Sequence, residues 1–185
     1  MRNPAPFPAA QSWMIENPVT RLLARRFVHR LDVRPGMRVL DYGCGPGRLT
    51  VPLARSVGVD GEVVALDLQP EMLARVERRA AAAGLSNVRT LQAAAGEAVL
   101  PPGRFDLAVL AYVLGEIPPG RRGAAMAEIA AALRPGGHLV VVEGGFDPHR
   151  QTPEAVRALA EPAGLRVEEV RRGWLTIVIT LRSGA

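Results

Sequence analysis

The sequence predicts an α/β fold: a doubly wound sheet of five parallel strands plus a C-terminal antiparallel hairpin, with helices on both faces. Two observations support this prediction. Short apolar segments alternate with helical segments over the first three quarters of the chain, an order typical of βαβ units. Near the C-terminus, two strand-like segments are separated only by Arg172 and Gly173, a link too short for a parallel crossover.

The order of the elements follows from the apolar runs and from the residues that end them. A continuous apolar run such as Phe105 to Leu110 indicates a strand buried on both faces. Helical periodicity that stops at a glycine, as at Gly84, indicates the end of a helix. Strands are predicted at 37–41, 62–67, 87–92, 105–110, 138–143, 165–171 and 174–181. Helices are predicted at 46–57, 70–83, 120–133 and 153–160, after an N-terminal helix that starts at Pro18.

Composition favours one compact globular domain. The 185 residues are 48% hydrophobic and 22% charged, which is typical of a folded chain. The chain has no apolar run of the ~20 residues that a transmembrane helix needs, and residues 1–10 lack the apolar core of a signal peptide. We therefore expect a cytoplasmic protein without a transmembrane segment. The single cysteine, Cys44, excludes an internal disulfide and a multi-cysteine metal site.

The N-terminal segment is basic and is expected to stand apart from the domain at 35–185. Residues 1–34 are predicted to form two parts. A loose Pro- and Ala-rich arm at 1–12, anchored by residues 13–15, is followed by an amphipathic lid helix. Six of the 23 arginines and only two acids lie in residues 1–36, which gives this segment +4 of the net +5 charge. The basic helix is expected either to attract an anionic substrate, a phospholipid surface or RNA, or to present a solvated face. Its apolar face is predicted from Val19, Leu22, Leu23, Phe27 and Leu31.

A glycine-rich loop follows the first strand. Asp41 precedes three alternating glycines, Gly43, Gly45 and Gly47, which allow a sharp bend and a close approach of the backbone to a ligand. Asp67 ends the second strand and is suited to accept both hydroxyls of a ribose. The dinucleotide pattern G-x-G-x-x-G is not matched in either register. The residues alone leave open any adenosine-containing cofactor, an ordinary tight turn for the glycines, and a helix cap for Asp67.

The spacing Asp-x-Gly-x-Gly-x-Gly resembles motif I of the class I methyltransferases that use S-adenosylmethionine. The resemblance extends over about residues 35 to 181 and includes further motifs in the family's order, at 62–73, 105–118 and 133–143, before the final hairpin. It implies a Rossmann-like fold, methyl transfer (EC 2.1.1), S-adenosylmethionine as cofactor and S-adenosylhomocysteine as product. Residues 35–185 would then be the S-adenosylmethionine-binding methyltransferase domain.

The resemblance also implies roles for individual residues. The three glycines and Leu110 would lie against the methionine part of the cofactor, Asp41 would reach toward its amino group, and Asp67 would hold the ribose. The complete cofactor set implied by the resemblance is Asp41, Gly43, Cys44, Gly45, Gly47, Asp67, Leu68, Ala94, Ala95 and Leu110. Leu68 would pack on the adenine, and Cys44 is expected to be a small packed residue of the loop. The family's usual acid after the third strand is replaced by Ala93–Ala95. Either the backbone of Ala94 and Ala95 would hold the adenine, with Glu97 nearby, or adenine recognition would be weaker.

Acceptor contacts are expected in the loops after the fourth and fifth strands. Tyr112, Glu116 and His149 are the candidates for acceptor contacts or a base, against the alternatives of packing, a solvated acid and a surface turn. The chain lacks the Asp/Asn-Pro-Pro-Tyr sequence of base amino-methylating enzymes and a cysteine near the fourth strand, which argues against nucleic acid as the acceptor. The three histidines show no metal-ligand spacing.

The layout is similar to that of small-molecule methyltransferases of the ubiquinone/menaquinone-biosynthesis type. The favoured prediction is therefore methyl transfer to a small molecule, anionic or lipid-like, by a cytoplasmic protein that could form a homodimer. The alternatives are methylation of RNA or protein, and a non-catalytic S-adenosylmethionine-binding protein.

Overall fold

The computed structural model describes residues 18–145 and 147–184. These residues fall into two compact units that divide between Ala93 and Ala94. Each unit is described by itself below. The predicted arm at 1–12, its anchor at 13–15 and Phe146 lie outside the described residues.

The N-terminal unit is a parallel three-stranded sheet with helices. Its elements are α1 (Pro18–Val28), β1 (Arg38–Tyr42), α2 (Thr50–Val57), β2 (Glu62–Asp67), α3 (Pro70–Ala82) and β3 (Val88–Gln92). The strand order is β3-β2-β1, with Asp41 in register with Ala65 and Asp67 with Gln92. Since parallel strands end at the same edge, the glycine loop after β1 and Asp67 at the end of β2 are brought together.

The C-terminal unit is a mixed four-stranded sheet. It contains β4 (Phe105–Ala111), α4 (Pro119–Ala132), β5 (Leu133–Gly144), α5 (Pro153–Ala160), β6 (Leu165–Arg172) and β7 (Thr176–Ser183). The order is β4-β5-β7-β6, with β4 and β5 parallel and β7 antiparallel to both of its neighbours. The predicted antiparallel hairpin is thereby confirmed.

Aliphatic side chains of the strands form the core of each unit. Leu107–Leu110 in β4 and Leu139–Val142 in β5 are all buried, as the continuous apolar runs predict. In the N-terminal unit Leu40, Ala65 and Leu66 are buried between the helices. Full burial of one such aliphatic side chain contributes about 1.5–3 kcal/mol to the free energy of unfolding. The buried core therefore fixes the positions of the strands and of the polar residues at their ends.

Several predicted boundaries differ from the structure. The helix predicted from residue 46 begins at Thr50, because residues 44–47 form a turn in which the Gly47 N–H donates to the Cys44 carbonyl (3.1 Å). Residues 134–137, which lie between the predicted helix at 120–133 and the predicted strand at 138–143, belong to β5, whose first residue Leu133 pairs with Phe105 of β4. β7 begins two residues later than predicted, and the hairpin turn leaves Trp174 92% exposed.

The predicted apolar face of α1 is only partly buried, with Phe27 and Leu31 half-buried. Val19, Leu22 and Leu23 are at least half exposed, whereas Ala24 and Val28 are buried. α1 contacts α2, and its buried residues are Ala24 and Val28 while the leucines lie on the outside. Among the described residues, no helix combines the length and the apolar character needed to cross a bilayer.

Candidate functional site

The glycine loop of the N-terminal unit turns back on the end of β2. The N–H groups of Gly43 and Cys44 both donate to the Leu66 carbonyl (2.7 and 2.9 Å). Gly43, Gly45 and Gly47 all have positive φ, at 72°, 51° and 82°, a conformation that glycine adopts without a steric cost. A Cβ on Gly47 would also lie 3.1 Å from Val76 Cγ2 of α3. The alternating glycines are therefore required by the backbone of this loop.

Asp67 holds the loop against the sheet. Its Oδ2 accepts a hydrogen bond from the Gly45 N–H (2.8 Å), and its Oδ1 accepts one from the Gln69 N–H (2.9 Å). The carboxylate is 9% exposed, and burial raises its pKa. The N-cap residue of α3 is Gln69, so Asp67 lies ahead of the cap. A carboxylate fixed at the end of β2 is correctly placed to accept hydroxyl groups from a nucleoside.

Asp41 is a second buried carboxyl beneath the same loop. It is 2% exposed, and its Oδ2 accepts a hydrogen bond from the Thr50 hydroxyl (2.6 Å). Burial raises the pKa of Asp41 to about 6; the Thr50 hydrogen bond opposes the rise, the Asp67 charge adds to it, and Arg48 opposes it. Thr50 was not predicted as part of the site. Its position at the start of α2, nine residues after Asp41, was the available sequence signal.

Cys44 and Leu68 complete this part of the site. Cys44 packs in a buried cluster with Ala65, Leu73 and Val76. Burial raises the pKa of its thiol well above the ordinary value, and the charges of Asp41 and Asp67 add to the rise. The thiol therefore stays protonated and acts as a packed residue rather than a nucleophile. Leu68 is 50% exposed, so its side chain is open to contact with a ligand.

Three of the predicted cofactor residues lie in the C-terminal unit. Ala94 and Ala95 are partly exposed, and the Ala94 carbonyl accepts a hydrogen bond from the Glu97 N–H (3.0 Å). Leu110, at the end of β4, is completely buried. Glu97 forms an ion pair with Arg121, which fixes the carboxylate nearest to the alanine stretch.

The loops after β4 and β5 pack on each other within the C-terminal unit. A Cβ on Gly115 would lie 2.4 Å from the His149 carbonyl oxygen, so only glycine fits there. The guanidinium of Arg122 donates to the Gly115 carbonyl (3.0 Å) and to Gln151 Oε1 (2.9 Å). Arg122 therefore connects the two loops, a role that the sequence did not reveal.

The three predicted acceptor residues differ in backbone conformation and in exposure to solvent. Tyr112 has a φ of 61°, the only positive φ of a non-glycine residue in the described chain, and its N–H donates to the Val142 carbonyl (2.8 Å). Such a conformation costs about 1–3 kcal/mol and is concentrated at functional sites. Glu116 is half-buried and His149 is exposed. The His149 N–H donates to Asp147 Oδ1 (2.8 Å), which shapes the turn after β5.

Glu143, near the end of β5, is a functional candidate that sequence analysis missed. It is 1% exposed, and no hydrogen bond from a described residue reaches either carboxylate oxygen. Burial raises its pKa to about 7; the Gln151 backbone lies close enough to offset part of the rise, the Asp147 and Glu116 charges add to it, and Arg122 opposes it. The available signal was an acid that directly follows three valines of a buried strand. A carboxyl with this pKa can accept or donate a proton near neutral pH.

No group of three or more histidine, cysteine, aspartate or glutamate side chains that could hold a metal ion occurs among residues 18–145 and 147–184.

Comparison with known protein families and curated proteins finds similarity to methyltransferases in each case. The family model for a methyltransferase domain matches residues 39–137. The ubiquinone/menaquinone biosynthesis C-methyltransferase of Azotobacter vinelandii is 36% identical over 124 residues, which is 66% of this chain and 48% of that protein. The nocamycin O-methyltransferase of Saccharothrix syringae is 34% identical over 122 residues, 64% of this chain and 42% of that protein. The chain thus spans about half the length of the curated relatives it matches.

Solved structures share the fold over nearly the whole chain. A SAM-dependent methyltransferase from Aquifex aeolicus superposes with a TM-score of 0.85 at 23% identity, over 95% of this chain and 98% of that one. The 1,6-didemethyltoxoflavin-N1-methyltransferase of Burkholderia thailandensis, solved with bound 1,6-didemethyltoxoflavin and S-adenosylhomocysteine, superposes with a TM-score of 0.72 at 24% identity, over 95% of this chain and 82% of that one. The predicted Rossmann-like α/β fold is confirmed.

Proposed function

The chain belongs to the methyltransferase domain family, and from this premise we propose that it transfers a methyl group from S-adenosylmethionine to a small-molecule acceptor. The observation that carries the proposal is the hydrogen bond from the Gly45 N–H to Asp67 Oδ2. It fastens a loop of three positive-φ glycines to the carboxylate that would bind a ribose. The backbone of this loop is then open to close approach by a ligand.

The residues of the N-terminal unit fit the cofactor chemically. S-adenosylmethionine supplies an electrophilic methyl carbon on a positively charged sulfur and also carries an ammonium group. Asp41 and Asp67 are two carboxylates beneath one loop, and the pKa of Asp41 is about 6. A cationic ligand favours their ionised forms and is attracted by them. Leu68, half exposed beside Asp67, offers an apolar surface for the adenine.

The residues of the C-terminal unit fit acceptor binding and proton removal. Methyl transfer forms a bond from the acceptor to the methyl carbon as the carbon–sulfur bond breaks, and the bonding electrons return to sulfur. The protein has to align the acceptor with that carbon and to exclude water. Where the acceptor must also lose a proton, buried Glu143, with a pKa of about 7, joins exposed His149 as a candidate proton acceptor. Tyr112 and Glu116 stay candidates for contacts with the acceptor.

The names of the relatives support a small-molecule acceptor. One is a C-methyltransferase of ubiquinone/menaquinone biosynthesis, and another is an O-methyltransferase of nocamycin. Both the atom that is methylated and the compound differ between them, so we propose the class of acceptor and not its identity. An anionic or lipid-like acceptor, a homodimer, a cytoplasmic location and the division into a lid at 1–34 and a domain at 35–185 stay predictions.

A labelled-methyl assay tests the proposed function. The purified chain is incubated with S-adenosylmethionine that carries a labelled methyl group, together with either the small-molecule filtrate or the macromolecular fraction of a bacterial lysate. We expect label in an organic-extractable compound of the filtrate, and added S-adenosylhomocysteine should suppress it. Label confined to the RNA or protein of the macromolecular fraction would replace the small-molecule proposal with the alternative.

A further inference from the structure

A pocket of about 440 Å³ lies in the outer helical layer of the N-terminal unit. The helices α1, α2 and α3 and the turn that precedes α2 each contribute arginines to it. The lining arginines are Arg21, Arg25, Arg48, Arg55 and Arg79. The rest of the described lining is glycine, alanine, valine and proline, without an acidic residue. Five positive charges thus surround an otherwise apolar floor.

Three of these guanidinium groups are not neutralised by the described part of the chain. Arg21, Arg25 and Arg55 are exposed, and none of their guanidinium groups forms an ion pair or a hydrogen bond with a described residue. Several exposed arginines elsewhere in the chain have acidic partners, as in the pairs of Arg89 with Glu62 and of Arg171 with Glu169. The pocket therefore brings together like charges that repel each other unless an anion lies between them.

One side of the pocket is rigid. Arg79 Nη1 donates to the Pro46 carbonyl (2.7 Å), which fixes this guanidinium at the start of the loop that leads into α2. Arg21 and Arg25 are four residues apart on α1 and therefore extend from the same face of the helix. Guanidinium groups in this arrangement offer several N–H forks to one ligand, a geometry suited to phosphate oxygens.

We propose that this arginine pocket binds a small anion that carries two linked phosphate groups. A single phosphate dianion would leave at least one of the three unpaired guanidinium groups without a counter-charge, whereas a diphosphate supplies three or four negative charges. The volume lies within the range of about 300–1,000 Å³ that is typical of small-molecule sites. The floor, which includes Val51 and Pro52, suits an organic group attached to the diphosphate.

The arginine pocket is distinct from the proposed cofactor site. Of the residues assigned to the cofactor, only Gly47 also lines this pocket, and the carboxylates Asp41 and Asp67 do not. The two sites also differ in sign, because the cofactor is a cation bound near carboxylates and the pocket is lined by cations. A concave pocket of this size favours a compact anion over RNA, which binds along an extended basic surface.

Calorimetry with inorganic pyrophosphate at low ionic strength tests the proposal on the whole chain. We expect one pyrophosphate per chain, with orthophosphate bound more weakly because it reaches fewer guanidinium groups. The double variant Arg25→Gln/Arg55→Gln should weaken pyrophosphate binding at least about tenfold. The control Arg26→Gln/Arg78→Gln removes two exposed arginines of α1 and α3 outside the pocket and should leave the affinity within about twofold. Unchanged thermal unfolding of both variants would show that they fold.

Four results would overturn the assignment. The first is that the wild-type chain does not bind pyrophosphate, and the second is that the pocket and control variants lose pyrophosphate affinity equally. The third is that the wild-type chain binds orthophosphate as tightly as pyrophosphate, and the fourth is that pyrophosphate competes with S-adenosylhomocysteine for binding. An RNA oligonucleotide that binds more tightly than pyrophosphate and loses affinity only in the pocket variant would instead identify this surface as an RNA contact.

Discussion

The buried carboxyl of Glu143 is expected to destabilise the protein as the pH rises. In the folded chain its pKa is about 7, against an ordinary value of 4.5. Between these two values the folded state holds a proton that the unfolded state has lost, so the free energy of unfolding falls with increasing pH. The difference of about 2.5 in pKa corresponds to about 3 kcal/mol at 1.36 kcal/mol for each pKa unit. This stabilisation is present below pH 4.5 and is lost as the pH passes through about 7.

The substitution Glu143→Gln isolates this effect, because glutamine has nearly the same shape and carries no charge. Urea unfolding at about pH 5 and pH 8.5 gives the free energy of unfolding of each protein. Relative to wild type, the variant should be more stable at pH 8.5 than at pH 5 by about 2–3 kcal/mol. Glu161→Gln changes an exposed acid of the same unit and should show no such difference.

Parallel pH dependences in wild type and Glu143→Gln would refute this reasoning. That result would mean that Glu143 ionises at its ordinary pKa, and the group would then have no advantage as a proton acceptor near neutral pH. The other buried acids with raised pKa values, Asp41 and Asp67, are present in both proteins, so their contributions cancel in the comparison.

Two further predictions concern the loops of the site. Protonation of Asp41 below its pKa of about 6 removes a charge that would attract the cofactor's ammonium group. In calorimetry, the affinity of wild type for S-adenosylhomocysteine should therefore fall as the pH drops through 6. The affinity of Asp41→Asn should not change over the same pH range. Gly115→Ala places a Cβ 2.4 Å from the His149 carbonyl, so urea unfolding should show a loss of about 1–3 kcal/mol, whereas Gly120→Ala, with open space around it, should show none.

Local patterns were sufficient to predict most of the fold. The short apolar runs of β4 and β5 and the two-residue link before β7 depend on neighbouring residues alone, and each element was predicted within a few residues. The glycine loop and Asp67 were also predictable, because positive φ values and a strand-end carboxylate leave a recognisable spacing.

What the sequence did not reveal depends on tertiary packing. Helical periodicity favours the larger leucines for the apolar face of α1, whereas packing buries Ala24 and Val28. Glu143 and Thr50 gain their properties from burial, which single-residue patterns do not report. The arginine pocket joins residues from three helices, and only its α1 part appeared in the sequence, as a basic segment.

The most direct test of the account is the binding of S-adenosylhomocysteine to wild type and to Asp67→Ala by calorimetry. Asp67 holds Gly45 in place and would accept the ribose hydroxyls. We therefore expect one S-adenosylhomocysteine molecule per wild-type chain and an affinity at least about tenfold lower in Asp67→Ala. Asp60→Ala, which removes an exposed acid of the same unit, should bind like wild type. Absence of binding to wild type, or equal affinity in wild type and Asp67→Ala, would contradict the assignment of the glycine loop as the cofactor site.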